Sequence, residues 1–310
     1  MGELRAPAGE RTKVVYVIGA GHSGSTILGL TLGNCDGVFF AGEVARWLRY
    51  DGRPPLEGEE RAELWRRVRE QVDVPPELLR LGARALEQSS ALLRPGTWLD
   101  QLRRGRRYRR VTQDLYRAIG RVTGATHVVD SSHFPRRAAQ LQKLDGIELH
   151  LLFLVRNPQS VVASYGRKNV PHKQTWKMPT ANAYLWLTNM LSLLVFLRQP
   201  RSRRLFIRHE AFIADPAGVI RQILDRVGSG AEVPDLTALR TGLAFQGNRL
   251  LRGDVVALKA DPERPPKRSR ITALLHLPWR AVFSLLRPVA KPAAQGPPQA
   301  QHTGRTPERA

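Results

Sequence analysis

The sequence predicts an α/β fold, a three-layer, doubly wound parallel sheet with a helical insertion after its second strand. Three observations predict it. Five β-like runs stand out, at 13–19, 37–43, 126–132, 148–157 and 203–210, and each is almost continuously apolar. That is the mark of parallel strands buried on both faces. Helical segments separate the runs, as a repeated β-α pattern requires. Each run ends in polar residues, where an open α/β sheet binds ligands.

The first run, "KVVYVIG", leads into "GAGHSGST". Against the phosphate-loop pattern G-x-x-x-x-G-K-[ST], Gly19, Gly24 and Thr26 match, and Ser25 stands in place of lysine. The fold is therefore expected to be of the P-loop nucleotide-kinase type. Loop N–H groups and the N-terminus of the following helix suit an anion. The hydroxyls of Ser23, Ser25 and Thr26 add donors around Gly21 and His22. The plain alternative is an ordinary glycine-rich turn. The missing lysine weakens the case for a triphosphatase, where that charge bridges terminal phosphates.

The second run ends in Glu43, expected on the strand next to the loop strand. The insertion follows, over about 47–122, and is expected to cap the sheet. It holds "EERAELWRRVREQ" and "TQDLYRAIGRV", the latter with Leu115, Ile119 and Val122 on one face. Its cluster "RRGRRYRR" (103–110) reads as a solvated helix face, with a specific polyanion site as the alternative, and no nucleic-acid motif accompanies it. Trp47, Trp65, Trp98 and Trp176 are expected in the core, with stacking on a sugar or aromatic ring of a ligand as the alternative.

The third run closes on Asp130-Ser131-Ser132-His133 and the fourth on Arg156-Asn157. Pro158 suits the first turn of a helix that carries Ser164 about two turns along. Arg156 and Ser164 either grip one phosphate or serve as a surface ion-pair residue and a packing residue. The most apolar stretch, 181–197, contains Asn182, Thr188, Asn189 and Ser192 and reads as a buried helix rather than a membrane span. After the fifth run, which ends in His209-Glu210, Asp215 is an N-cap, Pro216 the first helical residue and Gly228 the C-terminal stop. The segment 271–291 is amphipathic and basic. It is expected to dock on the domain, with peripheral membrane contact as the alternative.

The chain of 310 residues is 42% hydrophobic, enough for a sizeable core. Its one cysteine, Cys35, excludes a disulfide framework and a cysteine-rich metal site and fits a cytoplasmic location. The polar N-terminus is not a secretory signal. A flexible 1–12, one domain over 13–288 and a disordered 289–310 are expected. The net charge of +22 predicts a strongly anionic ligand.

Taken in order, these segments resemble the PAPS-dependent sulfotransferases, in particular the soluble bacterial group. "GAGHSGSTILGLTLG" is similar to their 5′-phosphosulfate loop, "FFAGEVARW" to their Gly-Glu stretch and "HVVDSSHFP" to their Asp-Ser-Ser segment. "LHLLFLVRNPQSVVAS" is similar to their 3′-phosphate segment, "LFIRHEAFIADPAGVIRQILDRVG" to their R-x-E…D-P pattern, and "FQGNRLLRG" to their late Gly-Asn-x-x-Arg stretch. The resemblance spans roughly 13–255.

It implies a sulfuryl transfer from PAPS to an acceptor hydroxyl or amine, without a metal, releasing adenosine 3′,5′-bisphosphate. The loop from Gly21 to Thr26 would hold the phosphosulfate, Arg156 and Ser164 the 3′-phosphate, and Arg249 or Arg252 would close over the nucleotide. A base must take the acceptor proton. The resemblance points to Glu43, with His133 as rival. It leaves the acceptor open as a carbohydrate, small metabolite or protein, whose site the insertion 47–122 and the segment 165–178 are expected to border, and it expects no specific nucleic acid. Three residues depart from the family pattern, Asn157 standing where aspartate is frequent. His22 stands where a permanent cation is usual, and His133 where lysine is common. Histidine titrates near pH 6.5 unless perturbed, so both charges are expected to be partial at neutral pH unless a phosphate holds His22 protonated. The alternatives are a non-catalytic nucleotide or polyanion binder of this fold, and a P-loop kinase using Asp130 as its metal carboxylate.

Overall fold

In the computed structural model, which describes residues 11–80, 83–88, 97–165, 177–247, 249–258 and 269–286, five strands form one sheet. They are β1 (Thr12–Gly19), β2 (Val38–Gly42), β3 (His127–His133), β4 (Ile147–Val155) and β5 (Arg204–Arg208). The order is β2-β3-β1-β4-β5, and every pairing is parallel. All five apolar runs are strands, and the fold is the α/β parallel sheet expected. Along β1 the side chains alternate between two cores. Val14, Tyr16 and Ile18 join one with Leu151 and Phe153 of β4. Val15 and Val17 join the other with Leu152 and Leu154. Because both faces are covered, the strands are almost continuously apolar, and polar residues alternate only at the start of β4, at Glu148 and His150.

The helices are α1 (Ser25–Gly33), α2 (Glu59–Glu70), α3 (Arg84–Glu87), α4 (Thr97–Thr123), α5 (Pro135–Leu141), α6 (Pro158–Tyr165), α7 (Met178–Arg198), α8 (His209–Ala214), α9 (Pro216–Val227), α10 (Arg270–Leu275) and α11 (Leu277–Leu285). Leu28 and Leu30 of α1, Phe212 of α8 and Ile220 and Leu224 of α9 cover one face. Trp65 of α2, Tyr108, Leu115 and Tyr116 of α4 and Phe283 of α11 cover the other. Helix α9 is capped as expected. The Asp215 carboxylate accepts from Gly218 N at 3.0 Å, and Gly228 closes the helix at φ 66°. Trp47 and Trp65 are fully buried.

Three expectations are corrected. Strand β2 does not neighbour β1; β3 lies between them and pairs with both. The insertion after β2 is long enough to bring the chain back into that slot, where an inserted strand finds two hydrogen-bonding partners. Helix α7 is buried on one face only. Asn182, Thr188, Asn189 and Ser192 point inward with Ala181 and Leu185, while Met190, Leu194 and Leu197 are exposed. It is long and apolar enough to cross a membrane by length and composition, yet an outer-layer helix has only one side to cover. Strand β1 starts at Thr12, inside the segment expected to be flexible.

The insertion closes at Thr123, one residue past its expected end, and its arginine cluster is the outer face of α4, with Arg103, Arg106, Arg107 and Arg110 exposed around buried Tyr108. Within 271–286, Trp279 and Phe283 dock on the core, and Ile271, Leu274, Leu277 and Leu285 are exposed. Residues 1–10, the stretch 166–176 with Trp176, the side chain of Trp98 and the tail from 287 lie outside the described residues.

Candidate active site

The strand order reverses about β1, so the crevice at its carboxyl end is the topological switch point. The glycine loop fills that place. Gly24 takes φ 91° as the N-cap of α1, and no side chain caps the helix. The first N–H groups of α1 therefore keep their donors for a ligand. A Cβ on Gly24 would stand 2.5 Å from His209 Nδ1, so the close approach requires glycine. Ser23 and Thr26 are buried beside the loop, and Ser25 is half-buried. His22 adopts φ 67°, a left-handed conformation that costs a non-glycine residue free energy.

Two partners hold His22. Arg156, just past the end of β4, donates from Nη1 to its carbonyl oxygen at 2.9 Å. Its ring meets the Tyr165 ring edge-on, with centroids 4.6 Å apart. The Arg156 guanidinium thus lies against the loop itself, one strand away. His209 backs the same corner. Burial first, and then Arg156, pushes its imidazole down to about 4, so it stays neutral at ordinary pH. Ser164 sits half-buried on α6, about two turns beyond Arg156. Arg249 and Arg252 are exposed on a short turn whose Leu251 is buried. That turn borders α1, since a Cβ on Gly247 would contact both Leu251 and Thr26.

Glu43 and His133 lie on the other side of the loop. The Glu43 backbone N–H donates to the Gln246 carbonyl at 2.6 Å. Its Oε2 accepts from Arg46 Nε at 2.8 Å. The carboxylate is near enough to act electrostatically on His133, Tyr165 and Tyr184. Burial holds the His133 imidazole below its ordinary range, with Glu43 opposing. His133 Nδ1 lies 3.3 Å from the Ser131 carbonyl, which only an N–H can satisfy. The lone pair then falls on Nε2, on the side of Gly21, where an added Cβ would be 3.6 Å away. Tyr184 hydrogen-bonds Tyr165 and the Gly21 backbone.

A buried network anchors this side. Asp130 Oδ1 accepts from Ser132 N at 2.8 Å and from the Ser132 hydroxyl. Ser132 Oγ in turn accepts from Ala45 N at 2.9 Å, which ties the Glu43 turn to β3. Tyr116 donates to Asp130 Oδ2 at 2.5 Å. Arg137 lies 3.5 Å from the same oxygen and donates to Glu87 at 2.9 Å and to the Tyr108 hydroxyl at 2.6 Å. Tyr108 donates to Glu87 at 2.7 Å. Burial pushes the Glu87 carboxyl up to about 7 against the pull of Arg137.

Gly21, His22, Ser23, Gly24, Ser25, Thr26, Arg156, Glu43 and His133 therefore share one edge of the sheet, with Ser164 and the Arg249–Arg252 turn bordering it. Asp130 does not fit a kinase metal carboxylate, because Ser132, Tyr116 and Arg137 already engage both of its oxygens. Sequence reasoning missed Tyr184 as a site residue, and reached Tyr165 only as the start of a segment expected to border the acceptor. Tyr184 hides inside an apolar helix and carries no signal. His209 was visible only as a polar strand end.

The model of a family described as the sulfotransferase family matches residues 15–232. The chain belongs to this family. No curated protein matches it. Among solved structures it is similar to the sulfotransferase domain from the curacin biosynthetic pathway, at 16% identity and a TM-score of 0.50, over 92% of this chain and 100% of that one. The sulfotransferase domain of the Synechococcus PCC 7002 olefin synthase matches at 17% identity and a TM-score of 0.48, over 91% and 98%. A sulfotransferase from Alicyclobacillus acidocaldarius matches at 16% and 0.40, over 79% and 89%. The first of these likenesses concerns the fold alone; the other two carry no further inference.

Proposed function

We propose that this sulfotransferase takes its sulfuryl group from PAPS and delivers it to a hydroxyl or amine of its acceptor, releasing adenosine 3′,5′-bisphosphate. The observation that carries this reading is the uncapped N-terminus of α1 with the Arg156 guanidinium bound to the same loop. Loop N–H groups and the hydroxyls of Ser23, Ser25 and Thr26 receive the 5′-phosphosulfate. Arg156 and Ser164 receive the 3′-phosphate, and Arg249 or Arg252 closes over the nucleotide. In the transfer the acceptor oxygen or nitrogen bonds to sulfur as the bond from sulfur to the 5′-phosphate oxygen breaks. Fixed dipoles and cations stabilise the departing phosphate oxygen. Loop contacts made by His22 supply part of that stabilisation when the bound phosphate holds its ring charged.

Glu43 takes the acceptor proton. Arg46 holds one of its oxygens, and among the described residues no hydrogen bond holds the other, which would face the acceptor. A second reading gives the proton to His133, favoured by its neutral ring with Nε2 on the loop side. Glu43→Gln and His133→Gln separate the two. Loss of the base should lower turnover about 100- to 10,000-fold, with donor binding retained, and only the true base should remove the acidic limb of the pH–rate profile.

Thermal shift tests the donor. Adenosine 3′,5′-bisphosphate should stabilise the protein without magnesium by about 2.7 kcal/mol at a hundredfold excess over Kd, and AMP far less. An equal response to both would sink the Arg156 and Ser164 assignment. Turnover of labelled PAPS over an acceptor panel then separates an enzyme from a silent binder.

A further inference from the structure

A cleft of about 90 Å³ lies between the turn that follows Glu43, Phe134 next to His133 in the chain, and the helical insertion. Arg46, Arg49, Arg80, Arg84, Glu87 and Phe134 all line it. Two of these charges are already spent within the protein. Arg46 pairs with Glu43, and Glu87 with Arg137. Arg49, Arg80 and Arg84 pair with no carboxylate of the described residues. Arg84 donates to the neutral amide of Gln88 at 2.6 Å, and the Arg49 guanidinium lies 5.6 Å from the Tyr50 ring centroid.

The backbone adds an independent observation. Arg80 takes φ 57°, pinned by its N–H on the Leu48 carbonyl at 3.0 Å. A long cationic residue held in the left-handed region costs stability, and such strain persists where the surroundings impose it. Three guanidinium groups around one small cleft also repel each other, and an anion reverses the sign of that interaction. The volume suits one small oxyanion rather than a ring system.

We propose that the acceptor carries a carboxylate or phosphate-type group, and that Arg49, Arg80 and Arg84 seat this group so that the acceptor nucleophile points to Glu43. The inference rests on the sulfuryl-transfer reading above, and it names the acceptor class of that site. The cleft lies within reach of the base because Arg46 and Ala45 line it and also hold the Glu43 turn. The fork geometry of arginine favours planar, bidentate recognition of such oxyanions.

The test uses the full chain with adenosine 3′,5′-bisphosphate saturating the donor loop. Phenyl phosphate, benzoate and benzyl alcohol are then titrated separately. Phenyl phosphate or benzoate should raise Tm further, and benzyl alcohol should not. The anion that acts distinguishes a phosphate from a carboxylate acceptor. In Arg80→Gln/Arg84→Gln the anion should bind roughly tenfold weaker or worse, as the loss of charge-assisted hydrogen bonds implies. Its response to the bisphosphate reports folding. If the double variant is misfolded, Arg84→Glu, a change on an exposed position, should give the same loss. An absent anion response in the unaltered protein, an equal response to benzyl alcohol, or an anion response that survives in a folded variant would overturn the proposal. If the bisphosphate itself fails to bind, the donor reading fails instead, and the anion titrations on the unaltered and variant proteins still decide the cleft.

Discussion

The two sides of the glycine loop are built differently. The Arg156 side is a strand end, a turn and a helix N-terminus, joined by one side-chain bond from Arg156 to the His22 backbone carbonyl at 2.9 Å. The Glu43 side hangs on a buried polar chain that runs from Ala45 through Ser132, Asp130 and Arg137 to Glu87. A site made of backbone donors is written into a few contiguous residues. A site held by charges that are 1% and 0% exposed, as Arg137 and Asp130 are, depends on every partner of a buried network.

The comparison breaks most sharply at Arg137. Arg137→Ala strands Asp130 and Glu87 without their cation. Removing one partner of a buried pair typically costs about 3–5 kcal/mol, so chemical denaturation should show a loss of that size. Arg156→Ala should leave stability nearly unchanged in the same measurement.

The next effect depends on pH. The His209 imidazole, depressed from 6.5 to about 4, is neutral in the folded protein while the unfolded chain binds a proton. Its contribution is therefore present above pH 6.5 and lost as pH falls towards 4, up to about 3 kcal/mol in all. Glu87, raised to about 7, works in the opposite direction: its contribution falls as pH rises through 4.5 to 7. The His209 contribution is thus read as the difference between the unaltered protein and His209→Gln. A difference that stays flat between pH 6.5 and 4 would show that His209 is not held neutral.

A smaller effect sharpens the contrast. Ser132→Ala removes the acceptor of Ala45 N, leaving that buried N–H unsatisfied. Stability should fall by about 1–3 kcal/mol. Turnover should drop while donor affinity stays put, because the loop does not depend on this bond. Equal losses of both would mean that the two sides are not separately built.

This difference explains what the sequence made legible. The five strands announce themselves because double burial leaves continuous apolar runs. The loop, Arg156 and Glu43 stand at strand ends, where position alone points to a site. The place of β3 between β1 and β2 was not legible, since strand order is decided by long-range pairing. Neither was the Arg137 network: Glu87 and Arg137 look like ordinary helix-surface charges, and only the packed insertion turns them inward. Tyr184 was hidden for the same reason, a polar tip on a helix whose composition is apolar.

The central claim is that the loop and Arg156 form one site for a nucleotide bearing both 5′ and 3′ anionic groups. Calorimetric titration of adenosine 3′,5′-bisphosphate and AMP into the unaltered protein and Arg156→Ala tests it most directly. The account predicts tight bisphosphate binding, weak AMP binding, and a loss for Arg156→Ala of about 1.5–3 kcal/mol confined to the bisphosphate. Equal affinity for the two nucleotides, or a bisphosphate affinity indifferent to Arg156, would contradict it.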